Sequence, residues 1–185
     1  MSDAPADGTR RAAVRALGGL TLVAVAPTIA ACAPRSPDMP AFATTADALR
    51  TLEALKARPS KTLGAWDLAQ VLHHAAQSVE YSLDGFPQLK PAWFRSTVGP
   101  LAFSVFSARG RMSHGLAEPI PGAPAIAAGQ ALDAAVDRML AALRRFDAHS
   151  GPLAPHFAYG ALDKKAFERA HLMHLANHWD EVAAA

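Results

Sequence analysis

Apolar residues in this chain recur at steps of three and four, and prolines and glycines cut the pattern into helix-sized pieces. A 3.6-residue period gives each helix one apolar stripe, and each stripe must be buried on another helix, so this rhythm constrains the fold more than any other feature. Thr44-Thr45 offers an N-cap, and Leu49, Leu52 and Leu55 follow it; they predict a first helix over residues 45–57, stopped by Pro59. A second helix, over residues 65–83, carries Leu68, Val71, Leu72, Ala75, Val79 and Leu83, and ends at Gly85 and Pro87. A third starts near Pro91, continues through Phe94, Val98, Leu101, Val105 and Phe106 with a kink at Pro100, and ends at Gly110. A fourth covers residues 128–148, where Leu132, Val136, Met139, Leu140, Leu143 and Phe146 repeat with helical period. Asp163 caps a fifth that runs to about Ala183. No stretch alternates with period two for long enough to predict a strand. The predicted class is all-α, an up-and-down four-helix bundle with an additional short N-terminal helix.

Residues 1–31 stand outside that pattern. Arg10, Arg11 and Arg15 precede an uncharged run from Ala16 to Ala33 that ends in small residues, the layout of an export signal. The arginine pair resembles a twin-arginine signal. Ile29-Ala30-Ala31-Cys32 resembles a bacterial lipoprotein cleavage box, with the chain's one cysteine at the position that receives lipid. The expectation is an exported protein of the periplasm or cell envelope, with Cys32 as the candidate lipid anchor to a membrane. The alternative, an uncleaved anchor helix, fits less well: the run is short of the roughly 20 residues that span a bilayer, and Pro27 lies inside it. Pro34, Pro37 and Pro40 make residues 32–43 an extended tether. The bundle then occupies residues 44–185.

Composition narrows the functions available. A formal net charge of +2 and the lack of any Lys/Arg cluster with interleaved aromatics argue against a nucleic-acid partner. A single cysteine excludes an intramolecular disulfide framework and multi-cysteine metal sites. Eight histidines against two tyrosines is the unusual ratio.

Three of those histidines, His171, His174 and His178, fall on the fifth helix within about 60° of one another around its axis. The four-residue step from His174 to His178 stacks two imidazoles one turn apart, the spacing at which two histidines share one metal ion. The alternative is a pair hydrogen-bonded in a polar seam. On the second helix, Gln70, His74, Gln77 and Tyr81 also share a face, whereas His73 and Glu80 point about 100° away and read as a rim pair. Two helices with polar, histidine-bearing stripes suggest one shared cavity. Buried polar groups need partners, and one ion would satisfy three imidazoles together. The candidate ligands are therefore His74, His174 and His178.

The stretch Trp66-Asp67-Leu68-Ala69-Gln70-Val71-Leu72-His73-His74, with His174-x-x-x-His178, resembles the DinB-like superfamily of four-helix bundles. The segments HAAQSVEYSLDGFPQLK, EPIPGAP, PHFAYG and AHLMHLANH resemble more closely an uncharacterised bacterial branch of it, catalogued as a domain of unknown function. The resemblance covers about residues 44–182. It implies a divalent ion held by one histidine of the second helix and a His-x-x-x-His pair of a later one, here His74, His174 and His178. His74 is preferred to His73 because it opens the HAAQSVEYS segment and shares a face with Gln77. Superfamily members include enzymes that activate a low-molecular-weight thiol on the metal, and others that resemble metal hydrolases. Where many of them carry Arg-Gly-Gln after the second ligand, this chain has Trp179-Asp180-Glu181, so no substrate or reaction carries over.

Gln77, Glu80, Tyr81, His156 and His171 are candidates for the cavity wall or for groups that orient the ligands. His114 and His149, near helix ends, read as capping or solvent residues. Glu168-x-x-His171 is only half of a di-iron signature. The resulting expectation is an exported, divalent-metal-dependent enzyme, a hydrolase or transferase with a three-histidine site and a small-molecule substrate. The alternatives are a non-enzymatic envelope lipoprotein that binds a metal or small ligand, and a bundle with a polar seam and no metal. Imidazoles alone do not distinguish Zn, Ni, Mn and Fe. A homodimer is compatible with this reading.

Overall fold

The computed structural model describes residues 42–58 and 60–184. The expected export segment, the candidate anchor Cys32 and nearly all of the tether lie outside the described residues. Among the described residues no helix is long and apolar enough to cross a membrane.

The described residues are all-α apart from one small sheet. The elements are α1 (Thr45–Leu55), β1 (Ser60–Thr62), α2 (Leu68–Asp84), α3 (Ala92–Ser96), α4 (Val98–Arg109), α5 (Leu132–Ala148), α6 (Lys164–Trp179) and β2 (Val182–Ala184). Local chemistry sets the helix starts. At α1, Thr44 and Asp47 form a reciprocal capping box, and Asp67 and Gln70 form another at α2. Asp163 Oδ1 accepts the Ala166 amide at the head of α6, 2.7 Å away. Each cap satisfies amides that have no partner inside the helix, which typically contributes about 1 kcal/mol. The Asp67 cap sets the start of α2 at Leu68, three residues later than the predicted 65.

α2 packs lengthwise on α5, α1 lies against α5 and α6, and α6 completes the group by packing on α2. The core sits among these four helices. Leu52, Leu72, Met139, Leu143, Phe167 and Leu175 are fully buried, each worth about 1.5–3 kcal/mol of transfer free energy. The expected short extra helix is thus integral: Ala48 and Leu52 of α1 have no exposed surface. α3 and α4 are peripheral: α3 buries no residue, and α4 buries only Gly99, with Val98, Leu101 and Val105 exposed.

Two predicted helices need correction. The third is broken at Thr97, whose φ of −129° and ψ of −79° leave the helical region. Pro100 sits in the first turn of α4, where its missing N–H removes no helical hydrogen bond, so it starts a helix and does not kink one. The fifth stops at Trp179 and not at about Ala183. Val182–Ala184 instead pairs antiparallel with Ser60–Thr62, Thr62 opposite Val182. Strands of three residues are too short for a period of two to show in a sequence.

Candidate metal centre

His74 projects from the middle of α2, and His174 and His178 from successive turns of α6. The packing of α6 on α2 brings them together. The Nε2 atoms of His74 and His174 are 3.1 Å apart, and those of His178 and His174 are also 3.1 Å apart. Ligand atoms of all three residues lie within 4.8 Å of one another. His178 has no exposed surface, His74 is 3 % exposed, and His74 and His174 line a cavity of about 280 Å³. The cluster therefore forms part of the cavity's wall, with His178 behind it. The Trp66 ring stands edge-on to His74, with centroids 5.1 Å apart.

Burial makes these imidazoles neutral. It pushes His74 down to about 4, with neighbouring His114 adding to the effect. His178 falls to about 3, from burial and then from His74 and His114. Burial, followed by the neighbouring histidines, takes His174 well below the ordinary 6.5. Neutral imidazole is the form that binds a metal ion.

The arrangement fits an ion better than a hydrogen-bonded seam. Each Nε2···Nε2 contact has room for one proton, and His174 Nε2 faces two such neighbours. A proton on it can be given to only one of them. Nδ1 of His74 and Nδ1 of His178 are buried without a hydrogen-bond partner, and an ion held on the Nε2 side leaves them so. Nitrogens bound tetrahedrally to zinc at about 2.0–2.1 Å stand about 3.3–3.4 Å apart, close to the two separations seen here.

The other candidates divide. His171 lines the cavity, and its Nε2 is 3.2 Å from Ser82 Oγ. The Ser82 hydroxyl donates its one proton to the Val79 carbonyl at 2.6 Å, so it accepts from His171. That fixes His171 as the Nε2–H tautomer. Its ring stacks on Phe167 and meets Phe146 edge-on. His156 also lines the cavity. Its Nδ1 accepts the amides of Ala158 and Tyr159, each at 3.1 Å, so it too carries its proton on Nε2. Burial pushes both rings down to about 3, with His171 also lowering His156.

Gln77, Glu80 and Tyr81 are not on the cavity wall. Gln77 donates to the Pro124 carbonyl at 3.4 Å, and Gln70 to the Ile126 carbonyl at 3.0 Å, so the glutamines of the α2 stripe hold the loop between α4 and α5. Tyr81 packs against Phe86. Glu80 accepts from Arg138 Nε and Nη2 at 2.9 and 2.7 Å. The same guanidinium donates to His73 Nδ1 at 3.3 Å. His73 and Glu80 thus share one partner, Arg138 of α5. Ser78, one residue along from Gln77, takes the wall position instead.

His114 is the residue that sequence reasoning misplaced. It lines the cavity, its ring centroid 4.9 Å from that of His174 and 5.1 Å from that of His178. Proximity to a helix end in sequence says nothing of which way a loop folds. The usable signal was the EPIPGAP segment: Glu118, Pro119, Ile120 and Pro121 form the same wall. PHFAYG supplies further lining through His156, Phe157, Ala158 and Tyr159. Gly160 closes that turn with φ +80°, and a Cβ there would lie 2.6 Å from the Arg95 carbonyl.

Comparison with curated proteins and with solved structures found no match. A family described as "Protein of unknown function (DUF1569)" matches residues 36–185, which takes in every described helix and all three histidines of the candidate centre. The chain therefore belongs to the DUF1569 family.

Proposed function

We propose that this is an exported, DinB-like metalloprotein in which His74, His174 and His178 hold one divalent ion beside a cavity for a small molecule. The convergence of three Nε2 atoms, with 3.1 Å separations, carries this reading. When bound, such an ion supplies Lewis acidity and lowers the pKa of groups that coordinate it. The residues around it bind and orient. His156 presents an Nε2–H, and Met112, Ile120, Phe157 and Ala170 supply apolar surface. Lys90 and Glu118, both exposed, are the charged residues of the wall. A cavity of about 280 Å³ lies at the small end of ligand sites, so the substrate is a small molecule. The reaction class proposed is hydrolysis or group transfer.

A second reading, a metal- or ligand-binding envelope protein without turnover, is favoured by one observation. His156 and His171, with pKa near 3, are weak bases near neutral pH, where a general base works best with a pKa close to the operating value.

Metal content of protein purified without a His tag tests the shared part of both readings. One divalent ion per chain is expected, lost in His74→Ala, His174→Ala and His178→Ala and kept in His73→Ala and Glu80→Gln. A wild type that binds no divalent ion near neutral pH refutes it. Export rests on residues 1–31 and is tested separately: residues 1–40 should carry a reporter that is active only outside the cytoplasm, and Cys32→Ala should release the protein from the membrane fraction.

A further inference from the structure

We infer that His114 is a fourth nitrogen ligand of this centre, carried to it by the loop that joins α4 to α5; the inference rests on the reading that His74, His174 and His178 hold a divalent ion. His114 Nδ1 is 2.9 Å from the Gly115 carbonyl. A carbonyl only accepts, so that nitrogen bears the proton, and in the neutral ring the lone pair is left on Nε2. That Nε2 is buried and has no hydrogen-bond partner. A ring held by Nδ1–H to a backbone carbonyl, with a bare Nε2, is the arrangement by which proteins orient a ligating histidine.

The position agrees with the tautomer. Ring centroids within the three-histidine cluster are separated by 4.9, 5.0 and 4.9 Å. His114 stands 4.9 Å from His174 and 5.1 Å from His178, the same spacing. It is not among the residues whose ligand atoms all lie within 4.8 Å of one another, so ligation draws the loop inward. The loop is anchored to α2 by Asp67, which accepts the Gly129 amide at 2.7 Å, and by Gln70 through the Ile126 carbonyl. One ion would then join α2, α6 and the loop that walls the cavity. The count of imidazoles also bears on the chemistry. Four of them leave a four-coordinate zinc with no open position, whereas an ion that takes six ligands keeps two for a substrate.

The test is a titration of the metal-free full-length chain with Zn(II), followed by long-range proton–nitrogen NMR of the histidine rings. At one equivalent, Nε2 of His114 should move to the metal-bound range together with those of His74, His174 and His178. In His114→Ala three nitrogens should move, and Zn(II) affinity measured against a chromophoric chelator should fall by about 100-fold or more, the upper end of what losing a group outside the ligand shell costs. If the His114 resonance stays in place while the other three move, the three-histidine site stands and this inference is overturned. If no nitrogen moves, the ion reading fails and the inference with it. The wild-type spectrum decides the matter even where the variant does not fold.

Discussion

Replacing His171 by leucine should make the metal-free protein more resistant to acid. The folded chain keeps this ring neutral, since burial takes it down to about 3, while in the unfolded chain it titrates near 6.5. Between those values the unfolded state binds a proton that the folded state does not. Stability is therefore full above about pH 6.5 and falls as pH drops through the window. From pH 7 to pH 5 the loss is about 2 kcal/mol for this one group. His156, also near 3, adds a similar amount, and together they are a large part of the roughly 5–15 kcal/mol that holds a domain folded. His171→Leu removes the group that titrates and keeps an apolar body against Phe167 and Phe146. The assay is urea unfolding at pH 7 and pH 5, with chelator present throughout. The wild-type midpoint should drop by more than that of the variant, the difference being about 1 M urea for a slope near 2 kcal/mol per M. Stability at pH 7 is not the readout, because the variant also loses the bond to Ser82. Equal pH-dependent losses in the two proteins would refute the argument that His171 is buried neutral.

Gly99→Ala should disturb the cavity from outside it: a Cβ there would lie 1.9 Å from the Ala158 carbonyl, so thermal stability should fall and α4 should part from the turn that carries His156. Gly160→Ala should cost at least as much, since it adds a left-handed φ of +80° to a 2.6 Å clash with the Arg95 carbonyl; differential scanning calorimetry measures both. Leu52→Ala, in the helix expected to be an appendage, should cost about 2–5 kcal/mol in urea unfolding, because the side chain is fully buried. A loss below about 1 kcal/mol there would mean that α1 is not part of the core.

The helices were legible because their causes are local. Thr44, Asp67, Asp163 and Gly110 act on backbone groups within a few residues of themselves, and an apolar stripe repeats within one segment. Which helices form the core was not legible. The 91–110 segment carries as many apolar residues as the others, yet Val98, Leu101 and Val105 face outward, because packing is decided by the partners available and not by the stripe itself. The strand pairing of Val182–Ala184 with Ser60–Thr62 depends on a contact across more than a hundred residues.

The candidate centre divides the same way. The step from His174 to His178 is a consequence of the 100° turn per residue and could be read from the chain; the choice of His74 over His73 also drew on the resemblance of the HAAQSVEYS segment that it opens. Glu80, kept as a candidate for the cavity wall despite its angular offset, lies off that wall and is tied to Arg138 of α5, which only the structure shows. Gln77 had the right angle, but the loop's backbone reached it first. His114 had no periodic signal, since an irregular loop imposes no angular order on its side chains. Only the folded loop, held to α2 by Asp67 and Gln70, brings its unpartnered nitrogen to the cluster. Helical geometry determines which residues of one element share a face; which faces meet, and what a loop lays between them, is set by the burial of all the elements at once.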